Sequence, residues 1–99
     1  MRLSPEHSAV IRQGAALLAG KHARVWLFGS RTDDDRRGGD VDLLLDLDEP
    51  IEEPARLAAQ LSAHVSKSMH GRRVDVLIKA PNLMHLPIHA VALAEGIRL

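Results

Sequence analysis

No cysteine occurs in these 99 residues, which removes disulfides and thiolate metal sites from consideration and agrees with a reducing compartment. Aromatics are almost missing: Trp26 and Phe28 stand alone, without a single tyrosine. Single-stranded nucleic acid is gripped largely by bases stacked on aromatic side chains, and that platform is lacking here. Net charge is absent as well, because 13 basic residues balance 13 acidic ones. Without a long-range field to draw in a polyanion, direct nucleic-acid binding is not expected. Long apolar runs are also wanting. Arg12 and Gln13 interrupt the best candidate well short of the roughly 20 residues a membrane helix needs. The stretch Met1 to Glu6 has no apolar segment of the secretory kind. These absences lead to the expectation of a soluble, cytoplasmic protein with no membrane association.

What is present reads as one domain, residues 1–99. A chain of this length buries about 60–70% of its unfolded surface. That suffices for one modest core and leaves little for a deep pocket, so something else is expected to help hold the substrate. The charges are unevenly spread: ten of the 13 acids fall between residues 33 and 53, with only Arg36 and Arg37 among them. An acidic segment beside scattered arginines suits a cation and a phosphate together, or a charged partner. Asp33 to Asp35 by themselves read as a solvated loop.

Ser4-Pro5 is a helix start, a capping hydroxyl followed by a residue suited to the first helical position. Ile11, Ala15 and Leu18 recur at helical spacing, and Gly20 ends that helix. Arg24 to Phe28 is a strand, and residues 29–39 are a polar loop bracketed by glycines. Asp40 to Leu47 alternates as a second strand, with Val41, Leu43, Leu45 and Leu47 on one face and Asp40, Asp42, Leu44 and Asp46 on the other. Pro54 to His70 carries the stripe Leu57, Leu61, Val65 and Met69 of an amphipathic helix, stopped at Gly71. Arg73 to Lys79 is a third strand, with Asp75 on the face opposite Val74, Val76 and Ile78. A last helix covers about Ile88 to Glu95. The order α-β-β-α-β-α predicts an α/β (α+β) fold, a small mixed sheet with helices packed on it.

The chemistry concentrates around the first loop. Asp40 and Asp42 are two apart on a strand, so their carboxylates share a face. Two such charges about 5 Å apart repel by about 3 kcal/mol at an effective dielectric near 20, a cost that a cation between them removes. Mg²⁺ takes one or two protein carboxylates and fills its octahedron with water and phosphate oxygens. Gly29-Ser30 offers backbone N–H groups and a hydroxyl to phosphate oxygens directly after a strand, and Arg31 can pair with a triphosphate. An Asp-x-Asp alone is more often a strand edge, and a Gly-Ser pair is commonplace. Their combination in a strand–loop–strand setting points to a metal-bound triphosphate.

The run Trp26-Leu27-Phe28-Gly29-Ser30-Arg31 followed by Asp40-Val41-Asp42-Leu43 resembles the signature of minimal nucleotidyltransferases in the DNA polymerase beta superfamily, over nearly the whole chain. The resemblance implies a polymerase beta-like core in which Asp40 and Asp42 bind the catalytic metals, two Mg²⁺ ions. Gly29, Ser30 and Arg31 would hold the nucleotide. It also implies a third carboxylate on a later strand, and Asp75 matches, as a metal ligand and an aid to deprotonating the attacking hydroxyl. The segment from Ile88 to Leu99 resembles the family's terminal helix. Two departures stand out: Asp33-Asp34-Asp35 where many relatives have small or basic residues, and Gly39 where a serine often precedes the first metal-binding acid.

The six histidines do not read as a metal site: His85 and His89 are four apart, but Pro87 between them argues against one continuous helix. Arg72 and Arg73 read as solvated cations as readily as phosphate ligands. The expected activity is Mg²⁺-dependent transfer of a nucleoside monophosphate, AMP from ATP, to an acceptor hydroxyl. By resemblance, stand-alone minimal members act as antitoxins of helical HEPN-domain toxins, so the expected acceptor lies on such a partner. Two other readings are a catalytically silent module that sequesters its partner, and an antibiotic-type transferase acting on a small molecule.

Overall fold

The structure, a computed structural model, describes residues 4–28 and 41–99. In chain order the elements are α1 (Pro5–Ala19), β1 (Arg24–Phe28), β2 (Val41–Asp46), α2 (Pro54–Ser68), β3 (Val74–Lys79), α3 (Pro87–Glu95) and β4 (Ile97–Arg98). The expected mixed sheet with packed helices is what forms. Its strand order is β3-β2-β1-β4, with β1 antiparallel to β2 and β4 and β2 parallel to β3. Parallel neighbours need a long crossover, and α2 supplies it.

Local chemistry explains the element ends. Ser4 accepts a hydrogen bond from the His7 N–H at 3.1 Å, capping α1. Gly20 leaves that helix at φ +99°, a region open to glycine. The second helix stops at Ser68, two residues before the expected end. His70 and Gly71 both take positive φ, and the Gly71 N–H turns back to the Ser66 carbonyl at 2.9 Å.

One face of the sheet holds the main core. Val41, Leu43 and Leu45 of β2 join Val25 and Leu27 of β1 against Ile11 and Ala15 of α1 and Leu57, Leu61, Val65 and Met69 of α2. All four members of the α2 stripe are buried, as their spacing predicts. The helices approach closely at Gly14, where a Cβ would fall 2.6 Å from His64 Cδ2. A side chain there would require the exposed His64 ring to turn aside.

The opposite face carries a smaller cluster. Phe28, Leu44 and Ala92 are buried together, with Trp26, Leu77 and Leu93 packed beside them. Leu44, which alternation places among the aspartates, is therefore covered by α3 rather than by water. The last helix ends at Glu95, as expected; the departure lies beyond it, where Ile97–Arg98 add a fourth strand to β1, pairing Trp26 with Arg98 and Leu27 with Ile97. Gly96 makes the switch possible: a Cβ there would meet the Ala92 carbonyl and lie 2.9 Å from the Leu27 carbonyl oxygen.

Candidate active site

Strand register sorts the α3 face of the sheet into three rows. In the first, Arg24 pairs with Asp46 and Asp46 with Lys79. Here Arg24 Nε donates to Asp46 Oδ2 at 3.1 Å, and Lys79 Nζ lies 3.7 Å from Asp46 Oδ1. The Arg24 guanidinium also donates to both Asp48 oxygens, at 2.7 and 3.1 Å. That bond to Arg24 holds the Asp48 carboxyl below the usual carboxylate range, and Asp48, then Asp46, keep Arg24 more firmly protonated than usual. This end of the face is a closed set of ion pairs.

The second row is apolar: Trp26, Leu44 and Leu77. Leu93 of α3 packs against it. Trp26 Nε1 is buried without a hydrogen-bond partner among the described residues, at the desolvation cost of an unmade bond.

The third row is Phe28, Asp42 and Asp75. Asp42 and Asp75 are each the second residue of their parallel strands, so their Cα atoms face one another across a ladder spacing of about 4.8 Å. Both are partly exposed. Two carboxylates on neighbouring strands repel, by about 3 kcal/mol at 5 Å and an effective dielectric near 20. The fold holds them together because the core pins the register: sliding either strand by one residue would turn Val41, Leu43 and Val74 out of the main core. Phe28 closes the row at the end of β1, so the chain leaves that strand beside Asp42.

Of the residues singled out in the sequence, Asp42 and Asp75 are thus brought together. Asp40, Gly29, Ser30 and Arg31 lie outside the described residues. Among the described residues no group of three His, Asp or Glu side chains is arranged to hold a metal, which leaves the pair Asp42 and Asp75. Two hard oxygen donors on a partly exposed ledge fit a Mg²⁺ ion that keeps waters and phosphate oxygens in its shell. The histidines serve elsewhere. His89 is buried in α3, and its Nδ1 accepts the Leu86 N–H at 3.1 Å. Burial first, then the charges of His85 and Lys79, push its pKa below the ordinary imidazole value.

One neighbour of the acids was discounted in the sequence. Arg73 Nε donates to Asp75 Oδ1 at 3.3 Å. The signal was present as spacing, since residues two apart on extended chain share a side, but composition alone cannot separate it from a solvated arginine. A groove of about 640 Å³ lined by His22, Leu47, Ile51 and Leu57 opens at the other end of β2, away from the acid row.

A small mixed sheet with paired strand-head carboxylates and a strand leading out beside them is the scaffold of a nucleotidyl-transferring domain. The comparison with known families agrees: the nucleotidyltransferase domain model matches residues 12–92, and the chain belongs to that family. No curated protein shows significant sequence similarity to it. Among the described residues no helix is long and apolar enough to cross a membrane.

Proposed function

We propose that this protein transfers AMP from ATP to a hydroxyl group on a partner protein, in a divalent-metal-dependent reaction, and serves as the antitoxin of a helical HEPN-type toxin. The observation that carries the catalytic part is the direct register of Asp42 with Asp75 inside a nucleotidyltransferase domain. Asp42 and Asp75, with Asp40 as the third acid, would hold Mg²⁺, whose chemistry is to neutralise the triphosphate and favour the departure of pyrophosphate. Gly29, Ser30 and Arg31 orient the β- and γ-phosphates. The acceptor oxygen attacks the α-phosphorus in line, the bond from that phosphorus to the bridging oxygen of pyrophosphate breaks, and Asp75 receives the hydroxyl proton. Positioning and charge neutralisation supply most of the acceleration.

A protein acceptor is supported by surface chemistry. Ile88 and Val91, three apart on α3 and therefore neighbours on that helix, are 40% and 46% exposed. Met84 and Leu86 extend the apolar surface ahead of them, each exposed. Clustered exposed apolar side chains are a mark of protein contact. Incubation with α-³²P-ATP, Mg²⁺ and a candidate helical partner tests the reading. Label should enter the partner with the intact protein and fail to enter with Asp42→Asn/Asp75→Asn. Label transfer by the double variant would sink it, and partner inhibition that survives the double variant would favour simple sequestration.

A further inference from the structure

Strand β3 is the outermost on its side of the sheet, with β2 as its one strand neighbour among the described residues. The bonds to β2 fix which of its backbone groups are used. The carbonyls of Arg73 and Lys79 accept from the Val41 and Leu47 N–H groups, and successive residues of a strand turn their N–H and C=O to alternate sides. Asp75 and Leu77 therefore turn their backbone toward β2 as well, whereas Val74, Val76 and Ile78 turn theirs outward. The Ser62 hydroxyl of α2 donates to the outward carbonyl of Val74. Val76 and Ile78 are left as an open edge. A groove of about 300 Å³ runs along it, lined by Val76, Leu77 and Ile78 and flanked by Ala55, Ala58 and Leu83. Such edges are commonly blunted by charge. Here the charges on the α3 side are of opposite sign, Asp75 and Lys79, two residues either side of Leu77.

We propose that β3 pairs antiparallel with β3 of a second copy of this chain, about a two-fold axis at Leu77, joining the two sheets into one. In that register Val76 lies opposite the partner's Ile78 and Ile78 opposite the partner's Val76, so the outward N–H and C=O groups satisfy one another. Leu77 meets the partner's Leu77, and Asp75 meets the partner's Lys79, at the non-hydrogen-bonded positions where side chains come closest. The symmetry repeats the charge pair on the other side of the axis. Other registers lose this match. An axis at Val76 sets Lys79 against the partner's Arg73, one at Asp75 sets that acid against the partner's Asp75, and one at Ile78 sets Asp75 against the partner's Pro81. Like charges directly opposite destabilise a strand pair, so the charges select Leu77. Lys79 reaches its own Asp46 at 3.7 Å and is 30% exposed, and an ammonium with three donors can serve a second carboxylate. The association stands on edge geometry and charge, independently of the catalytic reading. Its consequence for the candidate site is that each copy lends an ammonium to the end of the other's acid row.

Sedimentation of the wild type at the highest attainable concentration should give twice the mass of the chain. Asp75→Lys and Lys79→Glu should each weaken association about tenfold or more, since two attractive contacts become repulsive. An equimolar mixture of the two should associate again, each variant supplying the charge the other lacks. The chain has no cysteine, so introduced cysteines report the register. Leu77→Cys should crosslink to a dimer under mild oxidation, its Cα atoms lying about 4.5 Å apart across the axis, within disulfide reach. Asp75→Cys alone should not, because its two copies stand about 13 Å apart along the strands, but it should crosslink when mixed with Lys79→Cys. Val76→Pro removes an outward N–H and leaves every bond to β2 in place. It should be a folded monomer by thermal melting and sedimentation, and it replaces either charge variant that fails to fold. A monomeric wild type, dimers indifferent to the charge reversals and to Val76→Pro, or Asp75→Cys crosslinking as readily as Leu77→Cys overturns the proposal. The first of these outcomes would leave the edge to a strand of another protein.

Discussion

Asp42 and Asp75 stand directly opposite one another on adjacent parallel strands, each flanked along its strand by residues of the main core, Val41 and Leu43 on one side and Val74 on the other. Burial of those neighbours keeps two like charges side by side, and a divalent cation is the natural relief. Addition of Mg²⁺ should therefore raise the melting temperature of the wild type by the linkage that follows from binding the folded state alone, about 2.7 kcal/mol at 100 times the dissociation constant. Asp75→Asn should abolish that rise while costing less than about 1 kcal/mol without metal, because relief of repulsion offsets a weak pair with Arg73. Calorimetric melting with and without Mg²⁺ reads both effects. An equal Mg²⁺ response in Asp75→Asn would place the cation elsewhere.

Core packing beneath the site should be far more costly to disturb than the acids themselves. Leu61 is fully buried under the sheet on the α2 side, and Leu44 is fully buried under α3. Either one changed to alanine should lose about 2–5 kcal/mol, the range for removing a buried leucine side chain. Urea denaturation gives the loss from the shift in midpoint. A cost under 1 kcal/mol for Leu44→Ala would mean that α3 does not close over the acid face as described.

Gly96 is a second sensitive point, for steric rather than conformational reasons. An alanine Cβ would collide with the Ala92 carbonyl and press within 2.9 Å of the Leu27 carbonyl oxygen. Overpacking of this kind costs about 1–3 kcal/mol, and here it pushes β4 off the strand that ends at Phe28 beside Asp42. Gly96→Ala should lower both the melting temperature and metal-dependent nucleotide affinity. Hydrogen exchange should show the Leu99 N–H, bonded to the Val25 carbonyl at 3.0 Å, losing protection. Unchanged protection of that amide would argue against the docked C-terminus.

The buried imidazole of His89 sets a pH dependence with a definite sign. Its pKa is depressed from 6.5 in the folded protein, chiefly by burial, so below 6.5 the unfolded chain takes up a proton that the folded chain resists. Stability should be full above pH 6.5 and decline as the pH falls from there toward the lowered folded value. Protonation also withdraws the lone pair that accepts the Leu86 N–H. Urea midpoints between pH 7.5 and 5.5 should fall in the wild type and flatten in His89→Gln. A slope that persists unchanged in the variant would assign it to another group.

Much of this protein was legible along the chain, wherever the cause was local. Ser4 and Pro5 start α1, the spacing of Leu57, Leu61, Val65 and Met69 defines the buried side of α2, and alternation puts Asp42 on the face away from Val41 and Leu43. These follow from backbone geometry within a few residues, so reading them requires no knowledge of what packs where. Gly29, Ser30, Arg31 and Asp40, expected to bind nucleotide and metal, lie outside the described residues. Other features were decided only when distant segments met. The parallel pairing that sets Asp42 against Asp75 depends on α2 crossing over the main core. The burial of Leu44 among aspartates depends on α3 folding back, and the strand at Ile97–Arg98 depends on Gly96 fitting against β1. Periodicity encodes which side of an element is apolar, whereas register and edge partners come from the summed burial of residues far apart in the chain, and that sum exists only in the folded state.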